Sequence, residues 1–377
     1  MVIFGIGGHI DDIGGVENSV RSIIQLCEPD ERVILFSHAR PGYQTQFQAR
    51  SDLKFNAIEY TSRSWLPSPL PEMYRAIAAE ETRGIAICRH HKHVLAAAKA
   101  GIPCVYLVPS LIANQVKTEL GSGLSKAKLQ LLLFGLLNHA SQKRALQVAD
   151  TVAVFSENMA EQVVSLAGQD KIKRLIHCKP GIDPKRFHAV SSDVKQALRL
   201  KLGLKTDVVQ LLMVCRLVSA KGIELAIESL QFLPDNTHLV LVGDGAERHA
   251  FEEKVHRLGL QSRVTFTGAQ TKVEAYYQCS DVFIMASNYE PLGQTILEAG
   301  ASGLPIVAFS NKAGVTTATE ELELGECVFF AHEQTGEALA QATQRAAALA
   351  PEPNDISQFF HRTFSWLQLL STLKSSC

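Results

Sequence analysis

The sequence predicts an α/β protein made of two doubly wound parallel sheets, and three observations predict it. At 377 residues the chain is longer than one core normally accommodates, so two domains are expected. Short apolar runs alternate with helical periodicity through both halves, which is the pattern of βαβ units rather than of hairpins. One stretch, Asn288 to Pro305, reads strand, Glu-Pro-x-Gly, helix, Gly-x-Pro, strand, and places one carboxylate, Glu290, just before a helix and another, Glu298, about two turns into it. Each element follows from local chemistry.

Residues 2–6 form an apolar strand, followed by a glycine-rich segment (Gly7, Gly8, Gly14, Gly15) and a helix to about Cys27. Gly5-x-Gly7 begins a dinucleotide fingerprint, but Ile10 stands at the third glycine and no acidic residue closes the next strand, 32–37, so NAD is not expected. Strands are predicted at 84–88, 103–108, 150–155 and 173–178, and helices at 71–81, 91–100, 125–147 and 157–167. In the second half, strand 209–215 runs into Arg216 and, five residues on, Lys221-Gly222 at a helix start. Strand 281–286 precedes Glu290, and 305–309 follows the helix. Pro291 suits that helix's first turn, and Gly303 with Pro305 its end.

Chemistry is expected at that helix. Free N–H groups at Leu292, Gly293 and Gln294 would favour an anion such as phosphate. Glu290 and Glu298 are eight positions apart, ~12 Å along a helix, a span that suits a sugar and a ribose flanking a diphosphate. Carboxylates accept from vicinal hydroxyls. Arg216 and Lys221 each lie where a strand gives way to a helix and are placed to stabilise a departing diphosphate. The bland alternative puts both glutamates on a solvated helix face.

Composition is that of an ordinary globular protein, 46% hydrophobic and 20% charged with a net charge of −1, which offers no basis for nucleic-acid binding. Residues 1–185 hold 21 Lys and Arg against 17 Asp and Glu, a mildly basic half that could face an anionic acceptor or membrane surface. The eight cysteines are scattered singly, so neither zinc nor a disulfide framework is indicated. No signal peptide and no apolar run of ~20 residues is read, and cytoplasmic residence is expected. The apolar helix 125–137 with its flanking lysines either packs on a sheet or lies at the inner face of a membrane. Arg89-His90-His91-Lys92-His93 follows a strand's carboxyl end; adjacent histidines diverge, so no metal is expected, and His90 and His91 are assigned to the acceptor side.

These motifs resemble those of retaining glycosyltransferases of the GT-B fold, family 4. Glu290-x7-Glu298 resembles the E-x7-E motif, and Gly14-Gly15-Val16-Glu17 the G-G-x-E loop. Arg216 to Gly222 resembles G-R-x-x-x-x-K-G, with Cys215 in place of the usual glycine. Leu241-Val242-Gly243-Asp244-Gly245-Ala246-Glu247 resembles L-V-G-D-G-x-E. Ala149 to Ser156 resembles A-D-x-V-x-x-x-S, and Pro180 to Phe187 the N-G-V-D-x-x-x-F hinge loop, with Pro180 for the usual Asn. A histidine that many members carry after the next strand is absent, the chain reading Val108-Pro109-Ser110. Phe364-Ser365-Trp366 resembles the closing aromatic-x-Trp helix.

The resemblance implies two Rossmann-like domains facing across a cleft: 1–187 on the acceptor side, 188–355 on the donor side, and a helix 356–377 returning to the first. It implies transfer, with retention, from a nucleotide sugar such as a UDP- or GDP-sugar to a glycan, lipid-linked or small-molecule acceptor, in polysaccharide or glycoconjugate synthesis. Glu290, Arg216 and Lys221 would be catalytic. Gly14, Gly15, Gln270, Leu292, Gly293, Gln294 and Glu298 would bind the donor, with Gln270 near the base, and no metal would be required. A sugar-nucleotide epimerase of similar architecture, or a binding protein without catalysis, are the alternatives.

Overall fold

The computed structural model describes residues 1–377 except 13, 62–67, 81–83, 112–137 and 291. The described chain divides into two compact units, Met1–Gly181 with Trp366–Cys377, and Ile182–Ser365.

Unit 1 is built on seven parallel strands: β1 (Val2–Gly5), β2 (Arg32–His38), β3 (Lys54–Tyr60), β4 (Ile85–Cys88), β5 (Cys104–Leu107), β6 (Thr151–Val154) and β7 (Leu175–His177). Their order is β3-β2-β1-β4-β5-β6-β7, so the winding reverses between β1 and β4. Successive side chains serve opposite faces. Ile3 packs with one apolar cluster, beside Tyr74 of α2 (Leu70–Glu80), Val94 of α3 (His91–Lys99), Leu146 of a helix α4 described over 138–148, and Val163 of α5 (Glu157–Ala167). Val2 and Phe4 pack with the other, beside Val20, Ile23 and Ile24 of α1 (Gly15–Ile24).

The predicted strands and helices of this half appear at their expected places to within a few residues. Strand β3 was not expected: it lies at the sheet edge with mostly half-exposed or exposed residues, so it lacks an apolar run. The predicted apolar helix over 125–137 lies outside the described residues.

Unit 2 repeats the winding. Strands β8 (Val209–Val214), β9 (Thr237–Val242), β10 (Val264–Gly268), β11 (Val282–Met285), β13 (Ile306–Phe309) and β15 (Val328–Ala331) lie in the order β10-β9-β8-β11-β13-β15. Two short strands, β12 (Tyr289–Glu290) and β14 (Thr316–Thr317), pair apart from that sheet. Helices α7 (Ile223–Ser229), α8 (Arg248–Arg257) and α11 (Gly336–Leu349) cover one face. The other face carries α9 (Glu274–Cys279), α10 (Gln294–Ala301) and α12 (Pro353–Thr363), with α6 (Ser192–Lys201) partly packed against it. Gly300 admits the Phe360 ring against α10, because a Cβ there would collide with it. Gly303, at φ 83°, turns the chain out of the helix.

The single returning helix expected over 356–377 is instead two helices. Helix α12 stays in unit 2, and α13 (Trp366–Ser375) completes the α1 face of unit 1 through Trp366, Leu369, Leu370 and Leu373. Phe364, extended at φ −121° and ψ 98°, breaks the run. Gly181 lies against Trp366, where any side chain would clash with the indole.

Candidate active site

In unit 2 the winding reverses between β8 and β11, and the loops leaving these strands are locked to each other. After β8 the chain passes Arg216, turns through Ser219–Lys221 and enters α7 at Gly222, which is left-handed at φ 65°. A Cβ on Gly222 would collide with the Ala286 carbonyl oxygen just beyond β11, so glycine is required on two counts. The Asn288 N–H donates to the Ala220 carbonyl at 3.0 Å. On the other side, Gly243 and Gly245 of the Gly-Asp-Gly turn pass so close to the Cys215 and Leu217 carbonyls that neither tolerates a side chain. The family-like glycines therefore bring strand-end loops together, whatever else they do.

This lock brings Lys221 to Glu290. Lys221 Nζ lies 2.6 Å from Glu290 Oε2, with the two side chains 20% and 17% exposed. Glu290 Oε1 accepts the Gly293 N–H at 3.2 Å, while the Glu290 backbone is held by pairing with Thr317 and by the Ala318 N–H at 2.9 Å. One carboxylate thus joins a cation, a helix start and a third loop.

The helix begins later than expected. Gly293, left-handed at φ 75° and ψ 58°, is the cap of α10, and the first helical residue is Gln294. Pro291, predicted for the first turn, lies outside the described residues. The Gly293 N–H, expected to face a ligand, is taken by Glu290, and Leu292 precedes the helix.

Glu298 sits one and a half turns further on and is 9% exposed. It accepts the Tyr277 hydroxyl at 2.8 Å, and burial pushes its carboxyl up to about 7. The solvated-face alternative is thereby excluded for both glutamates. Arg216, in contrast, is exposed and makes no ion pair among the described residues. Gln270 folds back to donate to the Thr267 carbonyl at 2.8 Å. Lys221 and Glu290 are brought into contact; Arg216, Gln270 and Glu298 are not joined to them. Tyr277 was missed, since an aromatic within a predicted helix gives no sign of its partner.

At the reversal in unit 1, between β1 and β4, Gly14 caps α1 with extended backbone and Gly15 opens the helix with free space where a side chain would stand. The Glu17 carboxylate folds over Gly8 and Gly14, and burial holds it above its usual pKa. His90 caps α3 and packs its ring against Gly7, with the His91 ring centroid 4.2 Å away. His91 is buried against Asn138 Oδ1 at 3.2 Å, and burial pushes it down to about 4. His93, buried among Tyr60, Tyr74 and the Ile6 carbonyl, goes down to about 3. Burial also takes His90 well below its ordinary value. All three rings are therefore neutral and serve packing and hydrogen bonding. Among the described residues no group of three His, Cys, Asp or Glu side chains is arranged to hold a metal.

Two parallel sheets, each reversing at its first strand and each carrying its motif residues at the carboxyl side of that reversal, have the architecture of the GT-B fold. Solved structures agree over the whole chain. Sucrose-phosphate synthase from Thermosynechococcus elongatus has a TM-score of 0.76 at 22% identity, covering 99% of this chain and 97% of that one. HepE from Anabaena, solved with UDP and glucose, has a TM-score of 0.72 at 18% identity, covering 100% and 98%. Residues 194–359, which contain Arg216, Lys221, Glu290 and Glu298, match the model of the family glycosyl transferases group 1.

Curated relatives match over the same kind of span. Mannosylfructose-phosphate synthase of Agrobacterium fabrum is 33% identical over 150 residues, 36% of this chain and 33% of the relative. The lipopolysaccharide core glycosyltransferase LpsE of Rhizobium meliloti is 38% identical over 110 residues, 29% of this chain and 32% of the relative. The aligned stretch spans only about a third of the length of either relative.

Proposed function

We propose that this protein transfers a sugar from a nucleotide-sugar donor, such as a UDP- or GDP-sugar, to an acceptor hydroxyl, with retention of configuration and without a metal. The observation that carries the reading is the Lys221–Glu290 contact at the unit 2 reversal, inside the segment that matches the group 1 family. Such a reversal is where open α/β sheets bind ligands.

In this reading Lys221 offers its charge to the diphosphate, assisted by Arg216, which is exposed and free to move toward it. Glu290, fixed at both oxygens, orients the donor sugar, and Leu292, Gly293 and Gln294 border it. Glu298 holds the ribose; a carboxyl near its midpoint of ionisation can accept from one hydroxyl and donate to another. Gln270 borders the base, and Gly14 and Gly15 are assigned to donor binding. His90 and His91 belong to the acceptor side. No side chain acts as nucleophile: the acceptor attacks on the face that the diphosphate leaves, and the departing phosphate takes its proton. The protein supplies position and charge.

The acceptor is a glycan, a lipid-linked sugar or a small molecule, and the setting is the cytoplasm. Among the described residues no helix is long and apolar enough to cross a membrane. Contact with the inner face of a membrane through 125–137 is one arrangement this reading allows, supported by that segment's apolar run and its lysines.

Thermal stabilisation by a panel of nucleotide sugars identifies the donor, because a ligand of the native state raises the melting temperature. Transfer assays with that donor, read by the anomeric configuration of the product and repeated in EDTA, then test retention and metal independence. Inversion, or activity that EDTA abolishes and Mg²⁺ or Mn²⁺ restores, overturns the corresponding part. Conversion of the donor without any acceptor would make the protein an epimerase instead.

A further inference from the structure

The carboxyl side of the unit 1 sheet holds a buried cation with no ion-pair partner among the described residues. Arg89 directly follows β4, at the reversal between β1 and β4, and is 6% exposed. Its Nε and Nη1 are buried without a hydrogen-bond partner. Its surroundings come from several loops of the same unit. The Phe155 ring, beyond β6, lies 5.5 Å from the guanidinium carbon. Glu17 of α1 is the nearby group whose charge it feels at neutral pH, since burial raises Tyr106 of β5 and Cys178 beyond β7 to about 12, and none of the described residues forms an ion pair with it. Glu17 is instead turned over Gly8 and Gly14, and the Tyr106 hydroxyl accepts from Gln142 Nε2 at 3.0 Å. Burial lowers the guanidinium to about 10, so it remains charged at neutral pH.

A guanidinium withdrawn from water without an acceptor opposes folding, and buried charges are ordinarily paired. The strand-end position of Arg89 is also where a doubly wound sheet receives its ligand. The neighbouring α1 N-terminus is a second source of positive potential; its cap, Gly14, supplies no side chain, and Glu17 in the first turn accepts its own backbone N–H. Arg89 and that helix start both act on the space around Glu17, and a dianion balances the two better than a single carboxylate does.

We infer that Arg89 anchors an anion subsite in unit 1 that takes a phosphate group of the acceptor, carried on a sugar, a polyol or a lipid headgroup. The word acceptor rests on the glycosyl-transfer reading above; the phosphate site itself does not depend on it. Arg89 is a specificity residue in this account and has no part in the chemical step.

Calorimetry on the full chain, with inorganic phosphate, a hexose 6-phosphate and phosphatidylglycerol vesicles as probes, tests the site in wild type, Arg89→Met, Arg89→Lys and Lys221→Ala. Arg89→Met should weaken binding of the phosphate probes about tenfold or more, the loss of a charge-assisted hydrogen bond. It should also melt no lower than wild type in phosphate-free buffer, because an apolar side chain relieves the unpaired charge. Lys221→Ala can lose phosphate held at the donor site but should keep the part of the binding that Arg89→Met removes. If Arg89→Met does not fold, Arg89→Lys decides: binding weakened by about tenfold at an unchanged melting temperature supports the site, and unchanged affinity overturns it. Binding of the hexose phosphate assigns a soluble acceptor, and binding of vesicles alone assigns a headgroup. Loss of phosphate binding in Lys221→Ala but not in Arg89→Met overturns the inference. So does transfer to phosphate-free acceptors at wild-type rates by a protein that binds none of the probes, and that result leaves glycosyl transfer standing. Phosphate binding through Arg89 by a protein that transfers no sugar has the opposite meaning: the site holds and the activity reading fails.

Discussion

The two sheets share a winding pattern and a place for a cation at the reversal, yet they treat that cation differently. In unit 2, Lys221 is partly exposed and paired to Glu290 at 2.6 Å. In unit 1, Arg89 is almost fully buried and unpaired. The glycines differ in the same sense: a Cβ on Gly222 would collide with a carbonyl, whereas one on Gly15 would meet open space. The difference teaches that topology chooses where charge collects but not what it costs. Unit 2 builds its cation against its own counter-ion, while in unit 1 no ion-pair partner of Arg89 stands among the described residues.

The sharpest way to break the comparison is Gly222→Ala. The left-handed backbone and the collision with Ala286 together should cost about 3–4 kcal/mol, enough to unlock the two loops and read directly in urea unfolding. A loss under 1 kcal/mol would mean that the unit 2 loops are no more constrained than those of unit 1.

Glu298 gives the next effect, as a pH dependence. Its carboxyl is near 7 in the folded chain and near 4.5 unfolded, so between these values the native state binds more protons than the unfolded state. Stability should therefore fall as pH rises from about 4.5 to 7, by at most about 3 kcal/mol. Glu298→Gln should remove that slope. Parallel pH curves for the two proteins would show that burial does not hold this carboxyl up. In the ligand assays, Glu298→Gln should weaken both the free nucleoside diphosphate and the intact donor by roughly 1–3 kcal/mol, while Glu290→Gln spares the free nucleotide and lowers turnover. Equal losses of the free nucleotide in both variants would undo the division of roles along α10.

Turnover separates the cations. Lys221→Ala should reduce kcat by ~10²-fold, the scale of one lost charge-stabilising donor. Arg216→Ala should do less, about tenfold, since its exposed side chain is not fixed toward Glu290. The smallest effect belongs to Gly15→Ala. With open space at the start of α1, it should stabilise by about 0.5–1 kcal/mol in thermal unfolding. A fall in turnover without a fall in melting temperature would favour its bordering the donor.

How much of this was legible differs between backbone and side chains. Apolar runs such as Val282 to Met285 are read directly because a central parallel strand is buried on both faces. The edge strand Lys54–Tyr60 was not, because exposure on one side permits polar residues such as Asn56 and Glu59. Motif spacing assigned Lys221 and Glu290 to one site, but their direct contact was not read from it. That Glu298 would bond Tyr277, or that Glu290 would claim the Gly293 N–H, depends on rotamers and on a glycine cap, and a one-dimensional pattern carries neither. Arg89 was visible only as one member of a basic string; its burial comes from Phe155, Tyr106 and α1, which are distant in sequence.

The seam at residues 364–366 sets an order of events during synthesis. Phe364 is buried in unit 2, and Trp366 begins the helix that closes the core of unit 1. That helix is tied down by Lys374 to Glu31 at 2.7 Å and by the Thr151 hydroxyl to the Ser376 carbonyl at 2.6 Å. A nascent chain that has emerged as far as Gly181 therefore holds a sheet whose Val2, Phe4 and Leu35 face is covered by α1 but still lacks Trp366, Leu369, Leu370 and Leu373. At ordinary elongation rates the missing helix arrives roughly ten to forty seconds later, after all of unit 2 has been made. The first half of this protein to be translated is the last to be finished.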